Sequence, residues 1–459
     1  MKFVSTNHRS PAVGLKEAVL NGLAPDGGLY MPEALPRIPL FADTDSFQEI
    51  AFELSKRWIE NDIPERDIRT IVESALNFDA PLRRLSDSLF VLELFHGPTL
   101  AFKDFGARFM ARLMGYFLKD SDRDLTILVA TSGDTGSAVA HGFFNVPGIR
   151  VVILYPRGGV SEIQEKQLTT LGGNVTALEV DGVFDDCQRL VKEAFMDKEL
   201  RKKRALSSAN SINIARLIPQ SFYYCYAVSQ LRSSEGADPH PRIQDQIVFS
   251  VPSGNFGNLT AGLFAKKMGL PVAKFVASTN LNDVVPQYLK TGRFEPRPSR
   301  KTISNAMDVG NPSNFARMQA LYQGDLAALR ADIRGYSFSD VETREAIQEV
   351  YKTYGVILDP HTAVAHLGMK EYLETTIRPH EGGSFGATIR SPERGPFRAT
   401  IRTTGILLQT AHPAKFLDVV EPVIGQKIPI PESLERCMAT QKKSIPLSNR
   451  YEDLKERLM

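Results

Sequence analysis

At 459 residues, 42% hydrophobic and 24% charged, the chain has a globular composition and is too long for a single core, so two or three packed units are expected. Fifty-five basic against 53 acidic residues leave a net charge of +2, which removes the electrostatic case for nucleic acid or an anionic membrane surface as partner. The three cysteines, Cys187, Cys225 and Cys437, are scattered without a CxxC, which argues against a disulfide framework or a zinc site. With neither a signal peptide nor a bilayer-spanning stretch, a cytoplasmic location is expected.

Residues 1–80 mix turn signals with helical pattern and are expected to form a small N-terminal domain. Within it LAPDGGLYMP (23–32) reads as a tight turn, and SFQEIAFELSKRWI (46–59) as an amphipathic helix that buries Trp58. From 81 to 330 strands alternate with helices. LTILVA (125–130), RVVILYP (150–156), NVTALEV (174–180), QIVFSV (246–251) and KFVAST (274–279) are the strands. SAVAHGFF, SEIQEKQLTTLG and LTAGLFAKKMG are helices between them. This order predicts an α/β fold with parallel sheets flanked by helices, and ligands at the carboxyl ends of the strands. Residues 331–459 complete the catalytic lobe with the helices DVETREAIQEVYKTYG and DPHTAVAHLGMKEYL, interrupted by a Gly-, Pro-, Ser- and Arg-rich insertion loop near 377–404.

Three segments carry the chemistry. In HGPTLAFKDFGARFMARL (96–113), Lys103 stands between Phe102 and Phe105, after a Gly-Pro turn and ahead of a helix. An apolar pocket there would disfavour the ammonium, and a neutral amine can form a Schiff base with an aldehyde. SGNFGN (253–258) lies between a strand and a helix, where bare N–H groups of Gly254, Asn255, Phe256, Gly257 and Asn258 could cradle a phosphate; a plain βα turn is the alternative. TSGDTG (131–136) has the same placement: Ser132 and Thr135 could hold a carboxylate and Asp134 could approach a ring hydroxyl, or Asp134 could cap the helix. An aldehyde and a phosphate on one ligand point to pyridoxal 5'-phosphate.

ANSINIAR (209–216) sets Asn210, Ser211, Asn213 and Arg216 around a helix start, as helix caps with an exposed arginine or as a polar clamp for an anion. TAHPAKF (410–416) offers Thr410 and a loop histidine, His412, and the eight histidines show no metal-binding spacing, so no metal is expected.

These segments resemble, in order and over nearly the whole length, the threonine synthase family of fold-type II pyridoxal phosphate enzymes. The likeness is carried by MKFVSTN, GLAPDGGLYMP, HGPTLAFKDF, ATSGDTGSAVAH, ANSINIAR, VPSGNFGNLTAGLFAKKMGLP, SNAMDVGNPSNF, DPHTAVA and TAHPAKF. It implies that Lys103 is catalytic and binds the cofactor covalently, that residues 254–258 hold its phosphate, that Asp134 faces its ring hydroxyl and that Thr410 faces its pyridine nitrogen. It further implies that Ser132, Thr135, Asn210, Ser211, Asn213 and Arg216 meet the substrate, with Arg216 on its phosphate. The implied reaction takes O-phospho-L-homoserine and water to L-threonine and phosphate, by a monomer or homodimer. A related lyase that releases 2-oxobutanoate, a relative acting on serine or cysteine derivatives, and a non-enzymatic binding protein are the rival readings.

Overall fold

The structure, a computed structural model, describes residues 1–39, 41–42, 45–121, 124–233, 246–377 and 403–459. The segment 377–404, read above as an insertion, lies outside the described residues except at its two ends. No described helix is long and apolar enough to cross a membrane.

The first strands, β1 (Lys2–Ser5), β2 (Val13–Gly14) and β3 (Tyr30–Pro32), form an antiparallel sheet in the order β2-β1-β3. The turn before β3 is set by Asp26, whose carboxylate accepts from the Gly28 N–H and the Ser5 hydroxyl, while Gly27 supplies φ of +78°. The helix Phe47–Ile59 starts at Ser46, whose hydroxyl accepts from the Glu49 N–H, and it buries Trp58.

Eleven further strands follow: β4 (Leu82–Arg84), β5 (Leu89–Glu93), β6 (Leu125–Ala130), β7 (Ile149–Pro156), β8 (Val175–Val180), β9 (Ala205–Ser208), β10 (Gln246–Pro252), β11 (Lys274–Thr279), β12 (Ile333–Ser337), β13 (Thr403–Gln409) and β14 (Ser444–Leu447). They make two sheets, in the orders β12-β11-β10-β13-β5-β4 and β14-β8-β7-β6-β9. Every described pairing is parallel except β4 with β5. The chain enters the six-stranded sheet, leaves it for β6 to β9, and returns for β10 to β13. Residues beyond 331 thus give strands to both sheets.

Side-chain alternation splits each strand between two cores. Ile127 and Val129 of β6 join the large central cluster, whereas Leu128 and Ala130 pack with Leu154, Leu178, Leu190 and Leu447 on the other face. Phe249 and Val251 of β10 likewise face the central cluster, and Val248 packs with Val91, Val276 and Leu407. Both faces are covered by helices, so the strands read as apolar runs with little polar alternation. The loops after β6 and β10 are TSGDTG and SGNFGN, and they meet at one cavity between the sheets.

Candidate active site

Lys103 is the first residue of the helix Lys103–Leu118, and the turn before it is tied down on both sides. Asp104, fully buried, accepts from the backbone N–H and hydroxyl of Thr99 at 2.8 and 2.7 Å. Gly97 packs so tightly on Asp104 that a Cβ would lie 2.5 Å from its carboxylate. Leu100 takes φ of +57°, unusual for a branched side chain. Ala101 bridges Ala411, and the Phe102 N–H donates to the Thr410 carbonyl at 2.9 Å. Thr410 is thereby fixed next to the lysine.

The Lys103 amine lies 5.4 Å from the Phe102 ring centroid. Phe105 does not flank it. Two residues along a helix is a rotation of about 200°, and Phe105 points into the core against Phe47, Phe78 and Tyr223. Burial pushes the Lys103 pKa below the ordinary lysine value, Asp134 opposes this, and Lys415 and Arg216 push further down.

Asp134 does not cap its helix. Gly133, with φ of +136°, takes the cap position, and Asp134 is the first helical residue. Its carboxylate accepts from Lys415 at 2.7 Å and from the Gln164 amide at 3.0 Å, and lies 3.5 Å from Lys103. Burial raises its pKa, but Lys415 and then Lys103 outweigh that and hold it well below the carboxylate range. Lys415 also donates to the Thr99 carbonyl at 2.9 Å. Neither Lys415 nor Gln164 was singled out from the sequence.

Opposite stands the 253–258 loop. Phe256 takes a left-handed φ of +60° just before the helix Gly257–Lys267, and among the described residues the N–H groups of Gly254, Asn255 and Phe256 meet no acceptor. A Cβ on Gly254 would lie 2.7 Å from the Ala306 carbonyl. That neighbouring turn is held by His361, whose Nε2 accepts from the Ala306 N–H at 3.2 Å while Nδ1 lies 2.8 Å from Asp359. An accepting Nε2 assigns the proton to Nδ1, so His361 supports the turn and has no free nitrogen for base chemistry. The Asn258 side-chain oxygen accepts from Tyr223 and Tyr224 at 2.6 and 2.7 Å, which fixes the amide, yet its nitrogen is buried without an acceptor. The Asn255 side-chain oxygen accepts from Ser313.

From ANSINIAR, Asn210, Ser211 and Arg216 line the cavity and Asn213 does not. Asn213 caps the helix Ile214–Leu217 through the Ala215 N–H and donates to the Val19 carbonyl, 2.8 Å away, so its amide is spent on local structure and on the N-terminal unit. Arg216 is 2% exposed, which overturns its reading as a surface residue. It donates to the Ala209 carbonyl, its Nε has no acceptor, and burial lowers its pKa to about 10. Arg317, also missed, is fully buried and donates to the carbonyls of Tyr30, Ser211 and Ile212, joining this segment to β3. Thr135 lines the cavity; Ser132 does not. His412 caps a short helix through the Ala414 N–H. Among the described residues no cluster of His, Cys, Asp or Glu is placed to hold a metal.

Lys103 and Lys415 thus flank one carboxylate, Asp134, Arg216 adds a further cation on the Lys103 side, and donors of Gly254, Asn255, Phe256, Asn258 and Arg216 remain unmet. Arg216 Nε and Asn258 Nδ2 are fully buried, where donors without acceptors are costly, and an anionic ligand bearing a phosphate would meet such donors.

The chain matches the family profile described as pyridoxal-phosphate dependent enzyme over residues 74–380. Residues 2–76 match the threonine synthase N terminus, and 397–457 the threonine synthase C-terminal profile. It is 40% identical over 461 residues to the threonine synthase of Haemophilus influenzae, covering 100% of both chains. The crystal structure of threonine synthase from Escherichia coli superposes with a TM-score of 0.86 at 38% identity, covering 100% of this chain and 99% of that one. The pyridoxal-phosphate-bound threonine synthase from Brucella melitensis gives 0.84 at 34% identity, with 100% and 98% covered.

Proposed function

Because the chain belongs to the threonine synthase family of fold-type II pyridoxal-phosphate-dependent lyases, we propose that its substrate is O-phospho-L-homoserine, which it converts with water to L-threonine and phosphate. The observation that carries this reading is the burial of the Lys103 amine in a cavity shared with Arg216, across from the N–H groups of Gly254, Asn255 and Phe256 that meet no acceptor among the described residues.

The cavity fits the cofactor. Lys103 would bind its aldehyde, the N–H groups of 254–258 its phosphate, and the Thr410 hydroxyl would face its pyridine nitrogen. Bound pyridoxal phosphate supplies an electron sink that acidifies the Cα and Cβ protons of a substrate amine. A hydroxyl at the ring nitrogen, rather than a carboxylate, leaves that sink weaker. Asp134 would face the ring hydroxyl and balance the charge of Lys103 and Lys415.

Arg216 would hold the substrate phosphate with its planar fork until the phosphate departs from Cγ. Asn210 and Ser211 would complete that clamp, and Thr135 would hold the carboxylate. Lys103 would take the Cα proton and give it up to the conjugated substrate before taking the Cβ proton. It would deliver that proton to Cγ as phosphate leaves and, once water has added its hydroxyl at Cβ, see a proton restored to Cα; the remaining proton of the water goes to the phosphate. One mobile amine serving each transfer agrees with His361 being fully engaged in support of the neighbouring turn. We further assign the protein to the cytoplasm as a monomer or homodimer, which fractionation and light scattering test.

Purified protein supplied with pyridoxal phosphate and O-phosphohomoserine should release phosphate and threonine in equal amounts. Phosphate with 2-oxobutanoate and no threonine would instead select the rival lyase.

The cradle has its own test. A Cβ on Gly257 would lie 3.2 Å from Ser211 Cβ and 3.4 Å from the Asn314 amide, so a larger side chain must turn toward the cavity. Gly257→Leu should fold and bind pyridoxal phosphate about 10- to 100-fold more weakly, read by absorbance titration. Unchanged occupancy would remove this loop from the cofactor site.

A further inference from the structure

We propose that Lys415 is a positioning residue for Lys103: by occupying one oxygen of Asp134 it leaves Lys103 only a longer contact to the other, so that the Lys103 amine stays at the cavity yet is free to carry a proton. This rests on the reading of Lys103 as the proton carrier.

The geometry is asymmetric. Lys415 sits 2.7 Å from Asp134 Oδ1, and Lys103 sits 3.5 Å from Oδ2. The Lys415 side chain is wholly buried, and its second contact is the Thr99 carbonyl at 2.9 Å. Thr99 is itself gripped by Asp104, the residue after Lys103. Lys415 is therefore anchored to the same turn that presents Lys103, and the two amines share one carboxylate. A buried lysine with no contact to the unmet donors of the cavity has no evident role in binding ligand. Its charge acts on its neighbours.

The charged groups acting on Lys103 are Asp134, Lys415 and Arg216; Asp134 also feels His361, and Asp104 lies behind Thr99. Removing the Lys415 charge has two effects of one sign. Lys103 loses a repelling cation, and Asp134, still bonded to the Gln164 amide, keeps Lys103 as its one lysine partner. Both favour the Lys103 ammonium, so its neutral form should appear at higher pH.

The test is competitive labelling of the full-length chain before cofactor is added, with an amine-reactive acyl reagent across pH and the Lys103 peptide quantified by mass. Lys415→Gln keeps hydrogen-bond donors without the charge, and Lys415→Arg keeps the charge. At a fixed pH below the labelling midpoint, the glutamine chain should label Lys103 about three- to tenfold less than the parent. The arginine chain should stay near the parent. Loaded with cofactor, the glutamine enzyme should show the acidic limb of its kcat profile moved to higher pH, with KM little changed. If the glutamine chain does not fold, Asp134→Asn serves: loss of the shared carboxylate should increase Lys103 labelling at the same pH.

A folded Lys415→Gln chain with an unmoved Lys103 midpoint would overturn the proposal, as would unmoved labelling in Asp134→Asn. The labelling needs no substrate. A moved midpoint in a protein that makes no threonine would keep this inference and sink the reaction assignment. Threonine production with an unmoved midpoint would do the reverse.

Discussion

Lys103→Ala should lose at least about 10³-fold in turnover, because the variant loses both the covalent anchor for the cofactor and the amine that carries every proton in the proposed sequence. The fold should survive. Lys103 reaches into the cavity from the first helical position, and the turn that presents it is held by Asp104, Thr99, Ala101 and Phe102, which the substitution leaves in place. Pyridoxal phosphate should still bind, now without a covalent link, since its phosphate has a separate cradle. Borohydride reduction of the parent followed by peptide mapping should find the label on Lys103, and the alanine variant should give no labelled peptide. Lys103→Arg should not recover activity, since a guanidinium does not give up its proton in this range. A label on another lysine, or turnover within tenfold of the parent, would end the assignment.

Arg216→Ala should keep its cofactor and lose about 30- to 1,000-fold in kcat/KM for O-phosphohomoserine. That corresponds to about 2–4 kcal/mol for a lost charge-assisted contact to phosphate. The side chain is buried, its Nε lacks an acceptor, and it packs against Gly106, where a Cβ would come within 2.8 Å of that nitrogen. Such a guanidinium is aimed by its surroundings before any ligand arrives. Arg216→Lys should recover little, because an ammonium has neither the planar fork nor the same reach past Gly106. Unchanged kinetics in the alanine variant, with the fold intact, would move the phosphate clamp elsewhere. Lys166 is no substitute: it is occupied by the Thr440 carbonyl at 2.8 Å and does not line the cavity.

Much of the fold was legible because its central strands are buried on both faces. The runs at 125–130, 150–156, 174–180, 246–251 and 274–279 lie within a residue of β6, β7, β8, β10 and β11. β9 was missed because Ala205–Ser208 has four residues and only one large apolar side chain. The division into two sheets was not legible either, since periodicity marks a strand but not its partner.

In the site, residues next to turn signals or helix starts were found, whereas Lys415, Gln164 and Arg317 were not. Gly254, Gly257 and Asp134 announce themselves through strand–loop–helix punctuation. Lys415 is one of 55 basic residues, in a stretch whose proline drew attention to the turn and away from the charge. Gln164 is the capping-box partner of Ser161, a role that needs no ligand, while its amide nitrogen also reaches Asp134. Phe105 was misplaced because neighbours in sequence diverge on a helix. Of the two polar residues read either as a cap or as part of the site, Asn213 caps its helix and Asp134 lines the cavity. Local backbone geometry decides between the two roles.

The place of β13 in the six-stranded sheet bears on how the protein is made. It pairs with β10 on one side and β5 on the other, and its far end carries Thr410, whose carbonyl holds the turn before Lys103. On the ribosome, residues 89–93 emerge long before residues 403–409, by roughly 15 to 60 seconds at ordinary synthesis rates. Throughout that interval β5 presents an unpaired edge and the lysine turn lacks its tether, and in its second half β10 presents an unpaired edge as well. A nascent chain halted before residue 403 would therefore expose two sticky edges and no competent cofactor pocket. Cofactor capture should therefore follow the release of β13, and chaperone demand should fall sharply once the residues after 402 are released.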